Sequence, residues 1–252
     1  MTRSPRWFRA GVPGRKPGGR RHAQTRLAAH EPLERRSLLS GVPVDATPAD
    51  WRPDEACLVG GVVAGDTAAA PSRFAVTNVD ALSADVRRSL AAAIAAADAT
   101  LDRVVSGPEF DAILVEAFGR TVTDTAAFQS ALASLRSDLA TGRLAVAVEV
   151  LPEGSLDGHA GAYAAAGRDG AERIYLDAGW LASTGDSSAV ATVLLEEFGH
   201  AIDRRLNAGI DSPGDEGELF ADRVSGATLT ADELARILVE DDSGTAAVGG
   251  AA

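Results

Sequence analysis

Leu194-Leu-Glu-Glu-Phe-Gly-His-Ala-Ile-Asp203 is the segment from which the rest of the chain can be ordered. At 100° per residue, Glu196, His200 and Asp203 fall within an arc of about 60° on one helix face. Glu197 lies apart from them, on the apolar stripe with Val190, Val193, Leu194 and Ala201. Burial on that stripe would raise a carboxylate's pKa toward the range useful to a general base. A polar stripe on an otherwise apolar helix is most often a solvated face. Three ligand-type side chains in one arc also suit a shared metal ion, and the residues alone leave both readings open. Gly199 costs roughly 1 kcal/mol in a helix interior relative to Ala, which implies close packing against another backbone.

The helical period around this segment predicts a helix over 190–206. Upstream the period changes to two: Leu144, Val146, Val148 and Val150 alternate, followed by 160–166 and by Arg173-Ile-Tyr-Leu-Asp177, with Gly-bearing turns between them. These are three strands of a small sheet. Further upstream, Ser83 and Asp85 signal an N-cap before Val86, Leu90, Ile94 and Leu101. A second helix carries Phe110, Ile113, Leu114 and Phe118 up to Gly119, and a third runs from Thr123 or Asp124 to Gly142. Downstream, 216–224 and 231–239 read as two more helices. Helices, then strands, then helices is an α+β order rather than an alternating βαβ one.

Outside this body the composition shifts. Residues 1–40 hold ten basic and two acidic residues, a head at +8, and 1–30 lack any apolar period, so the head reads as disordered. The remaining 14 basic and 34 acidic residues give 41–252 a charge of −20, which repels phosphate and excludes nucleic acid as the body's ligand, whereas cations suit it. Residues 41–78 are rich in Ala, Pro and Gly and read as a linker or arm, 79–240 as the folded domain, and 241–252 as a disordered tail. Cys57 is the single cysteine, so no internal disulfide supports the fold. No apolar run approaches the roughly 18 residues that a membrane span requires, so no transmembrane segment is expected.

Glu196-Glu-Phe-Gly-His200 resembles the H-E-x-x-H helix of zincin metallopeptidases, with Glu in place of the first His. Carried over by position, the resemblance implies His200 as a metal ligand, Glu197 as general base and Glu196 as a carboxylate ligand; Asp203, on the same face, is a further candidate ligand. Downstream, Asp211-Ser-Pro-Gly-Asp-Glu-Gly-Glu-Leu-Phe-Ala-Asp222 resembles the second helix of the gluzincin subgroup, where E-x-x-x-D provides a third ligand and its orienting acid. Glu218 and Asp222 have that spacing. Glu216 is a rival ligand at the expected start of the helix, and Asp215 beside it is a second supporting acid; both also suit plain capping.

Ala117-Phe-Gly, Gly161-Ala-Tyr, Ile174-Tyr-Leu, Glu196-Glu-Phe-Gly-His and Gly214-Asp-Glu-Gly, in that order, are similar to a zincin-like module of large repeat-bearing exoproteins. The resemblance implies a small mixed sheet packed on an active-site helix, with an edge strand, Gly161-Ala-Tyr163, that holds extended peptide. Near the N-terminus, Glu31-Pro-Leu-Glu-Arg-Arg-Ser-Leu-Leu-Ser40 resembles the L-E-P-R-x-L-L motif of exported bacterial proteins, with Arg35 replacing its Pro. The expected function is a secreted or cell-surface, zinc-dependent peptidase acting on peptide or protein. The alternative is a non-catalytic surface or binding module of the same fold that holds a divalent cation such as Ca²⁺ or none.

Overall fold

The computed structural model describes residues 71–240, apart from 121, 123, 168 and 211, together with the backbone of two short strands. In chain order these are β1 (Glu31–Glu34), β2 (Phe74–Val76), α1 (Ala84–Val105), α2 (Phe110–Phe118), α3 (Thr125–Ala140), β3 (Val146–Leu151), β4 (Gly161–Ala164), β5 (Arg173–Asp177), α4 (Ala178–Thr184), α5 (Ser187–Leu206), α6 (Glu216–Ser225), α7 (Ala231–Ile237) and β6 (Ser243–Ala246). The mixed composition of helix and small sheet makes this an α+β domain.

Helix starts follow the sequence. The Ser83 hydroxyl caps α1 by accepting from the Val86 amide, and the Asp124 carboxylate caps α3 by accepting from the Ala127 amide. α5 is the centre of the domain: 14 of its 20 residues are buried, because α1, α3, α6 and the sheet pack around it. A helix buried on nearly every side offers no solvated face to its polar residues.

The sheet runs in the order β2-β3-β5-β4. β2, β3 and β5 are parallel, and β4 pairs antiparallel with β5, Ala162 opposite Tyr175 and Tyr163 opposite Ile174. Within this sheet β4 is therefore an edge, as expected of Gly161-Ala-Tyr163. β2 corrects the linker boundary at 78. The strand is only three residues long, but the Asn78 side chain prolongs its pairing, bonding both the carbonyl and the amide of Val150. Just before it, the buried Arg73 guanidinium pairs with Asp98 and Asp102 of α1 and donates to the Leu139 carbonyl at the end of α3. Phe74 packs on Phe198 of α5 with ring centroids 5.3 Å apart. The folded unit thus extends upstream of residue 78 to at least Arg73, held there by a buried cation and an aromatic pair.

α4 is also absent from the sequence reading. Asp177 closes β5 and at once caps this short helix, accepting from the Trp180 amide, with its other oxygen taken by the Gly154 amide. β1 and β6 form a separate antiparallel ladder, Glu31 opposite Ala246 and Glu34 opposite Ser243, where the composition implies loose chain. The rest of the head, linker and tail lies outside the described residues. Among the described residues no helix is long and apolar enough to cross a membrane.

Candidate functional site

The second half of α5, the start of α6 and strand β4 bring the chemistry-bearing residues together. Glu196, Glu197, His200, Asp203 and Glu216 are 0, 1, 3, 2 and 2% exposed. The solvated-face reading of the polar stripe is thereby corrected: α6 lies over it. Five ionisable side chains buried in one region call for pairing, hydrogen bonding or a metal, since an isolated buried charge costs several kcal/mol.

Two glycines permit this approach. A Cβ at Gly199 would lie 2.9 Å from the Gly217 Cα. One at Gly217 would lie 2.5 Å from His200 Nε2 and 2.8 Å from the Glu196 carbonyl oxygen. Gly199 therefore serves contact between helix backbones, as its cost in a helix interior implies. A third glycine, Gly161 of β4, makes room for Glu197: a Cβ there would lie 2.8 Å from Glu197 Oε1 and 2.6 Å from Val193 Cγ1. Glu197 thus sits beneath the edge strand.

His200 Nδ1 lies 2.9 Å from Glu216 Oε1, both groups buried. Against an ionised carboxylate the imidazole nitrogen is the donor. The Tyr163 ring stacks on His200, with centroids 6.4 Å apart and planes 23° from parallel. The Tyr163 hydroxyl donates to Glu172, which Arg205 of α5 also holds, so the hydroxyl end of the aromatic wall beside the imidazole is tied back to α5. A cavity of about 50 Å³, lined by Tyr163, Ala165, His200, Asp203, Arg204, Gly209 and Ile210, opens onto this point.

The expected ligands separate. Glu216 reaches His200, whereas Glu218 turns to α7 and pairs with Arg236 at 2.6 Å. Asp215 is the N-cap of α6, its carboxylate accepting from the Glu218 amide at 2.7 Å. Asp222 is half-buried one turn beyond Glu218. Asp203 belongs to the α5–α6 loop instead of a ligand set: Oδ1 accepts from Asn207 Nδ2 and Ser212 Oγ at 2.6 Å each, and Oδ2 from the Ser212 amide at 3.1 Å. Burial raises the Asp203 carboxyl above the usual carboxylate range, while these bonds and the neighbouring His200 act in the opposite direction. Ser212 and Asn207 carry no motif of their own and were visible in the sequence only as turn-forming residues.

Asp215, Glu218 and Glu240 also offer oxygens within 4.8 Å of one another. An all-oxygen set is of the Ca²⁺ type. Here, however, Arg236 bonds both Glu218 and Glu240, supplying the cation internally.

The donor set at His200 suits Zn²⁺. The 2.9 Å His200–Glu216 separation is that of a hydrogen bond, shorter than the roughly 3.3 Å that tetrahedral zinc sets between imidazole nitrogen and carboxylate oxygen, so an ion held by both would replace the shared proton. Glu196 lies buried one turn earlier on α5, and a carboxylate added to such a set admits harder ions too. No family model, curated protein or solved structure matches the chain.

Proposed function

We propose that this domain is an exported, metal-dependent peptidase in which Glu196, His200 and Glu216 hold one Zn²⁺ and Glu197 is the general base. The observation that carries this reading is the burial of Glu196, His200 and Glu216 where α5 meets α6, with Glu197 buried beside them under the edge strand β4. When bound, the ion supplies Lewis acidity that polarises a peptide carbonyl and acidifies water. Glu197, held against Gly161, takes the proton and passes it to the leaving amine. Before an ion is bound Glu216 holds the His200 ring through their hydrogen bond, and Tyr163 walls its face. The acidic body disfavours nucleic acid as substrate and is compatible with peptide. The resemblance of 31–40 to an export motif supports a secreted or cell-surface location.

A second reading, a non-catalytic metal-holding module, is favoured by one observation: the opening at His200 measures only about 50 Å³. Glu197→Gln separates the two. It keeps size and removes the basic carboxylate, so it should abolish chelator-sensitive hydrolysis of an unfolded protein while leaving bound metal unchanged. A protein that holds metal but hydrolyses nothing, both as the full chain and with its β1–β6 ladder disrupted, supports the module; loss of metal in Glu197→Gln would show that the assigned roles are wrong.

A further inference from the structure

β4 is an edge of the four-stranded sheet, yet all four of its residues are buried. An exposed edge presents unpaired amides and carbonyls to any extended peptide, so natural edges are covered or charged. Among the described residues the cover includes β1, which packs alongside β4 and is itself paired with β6. Residues from opposite ends of the chain therefore meet over the strand that contacts the candidate site from above: Gly161 touches Glu197, and Tyr163 stacks on His200.

We propose that β1, latched by β6, is an intramolecular occupant of the peptide-binding edge, so that the full chain holds its site closed and releasing the Glu31–Glu34 segment opens β4 to an extended peptide. This rests on the reading of β4 as a substrate edge. The occupant is the chain's own segment, it carries acid at both ends, and it lies within the stretch that resembles an export motif. Processing or displacement of the head would then be coupled to opening of the site. No covalent step is required: the packing of β1 beside β4 is exchanged for main-chain pairing of β4 with the incoming strand.

The test uses the full chain. Leu33→Pro with Thr245→Pro removes one of the amides that join β1 to β6, since consecutive antiparallel pairs alternate between bonded and non-bonded, and should unlatch the ladder. Amide exchange of 161–164 should accelerate at least about tenfold, with 190–206 still protected, since a lost cover converts buried amides to exposed ones. A fluorescent synthetic peptide spanning residues 28–37 should bind the unlatched chain and not the parent. Equal exchange at 161–164 in both chains, or equal binding of the probe, overturns the proposal. If the double variant loses protection throughout α5, a second measurement decides. A spin label at Glu34→Cys, in a Cys57→Ser background, should broaden the amide signals of 161–164 in the otherwise unaltered chain, and unbroadened signals would refute the contact. Opening and peptide binding without hydrolysis would leave this proposal standing and remove the peptidase reading; unchanged β4 exchange would do the reverse.

Discussion

Gly217→Ala tests how tightly the site depends on the α5–α6 contact. The added methyl would sit 2.5 and 2.7 Å from the His200 ring and 2.8 Å from the Glu196 carbonyl oxygen, where ordinary contact begins at 3.4 Å. The ring has a little freedom, but the carbonyl belongs to the backbone of a buried helix, so α6 must retreat, by up to about 0.6 Å for ordinary contact. Overpacking of this kind costs roughly 1–3 kcal/mol. Retreat of α6 also stretches the 2.9 Å His200–Glu216 bond, and a charge-assisted bond is worth about 1.5–3 kcal/mol. The helix preference for Ala over Gly returns at most about 1 kcal/mol. The net loss is about 1.5–5 kcal/mol, which for a domain of this size lowers Tm by roughly 3–20 °C. Urea unfolding with an unchanged m-value is the assay. Gly199→Ala is the comparison: its methyl meets the Gly217 Cα at 2.9 Å and the more yielding Phe220 ring at 3.2 Å, and it does not press on His200. Its loss should be smaller. A Gly217→Ala protein within about 0.5 kcal/mol of the parent, which is the range of an inconsequential surface change, would refute this account of the contact.

Two further outcomes follow. Asp203 is held above the usual carboxylate range by burial, so the folded state retains its proton to a higher pH than the unfolded one. Its contribution to stability is fully present below the unfolded value and is lost as pH rises through the folded one. The stability of the parent relative to Asp203→Asn should therefore fall as pH rises from 3.8 upward, as measured by unfolding across that range; a difference independent of pH would show that Asp203 titrates alike in both states. Glu196→His restores the residue of the zincin pattern and should tighten zinc binding by calorimetry, because imidazole suits zinc better than carboxylate does; unaltered affinity would remove Glu196 from the ligand set.

The helices were legible because their apolar residues recur at 3.6 and their caps are explicit, as at Ser83 and Asp124. β2 was not, because three residues in an Ala/Pro/Gly-rich neighbourhood carry no period, and what makes them a strand is long-range: the buried Arg73 and the Asn78 side chain pairing with β3. α4 was hidden because one aspartate, Asp177, ends a strand and caps a helix at the same position. The polar stripe of α5 was visible, but its burial was not, since the cover comes from α6 and depends on Gly199 meeting Gly217. For the same reason Glu216 and Glu218 stood level in the sequence. Two residues apart at a helix start, they turn in different directions, one to His200 and the other to Arg236.

Elemental analysis of the purified full chain, set beside its His200→Ala and Glu216→Gln variants, tests the metal site most directly. The account predicts zinc near one equivalent in the parent and its loss from both variants, with all three chains folded by circular dichroism. A parent that carries no divalent metal after exposure to zinc, or variants that hold it as well as the parent does, would contradict the assignment of Glu196, His200 and Glu216 as a metal centre.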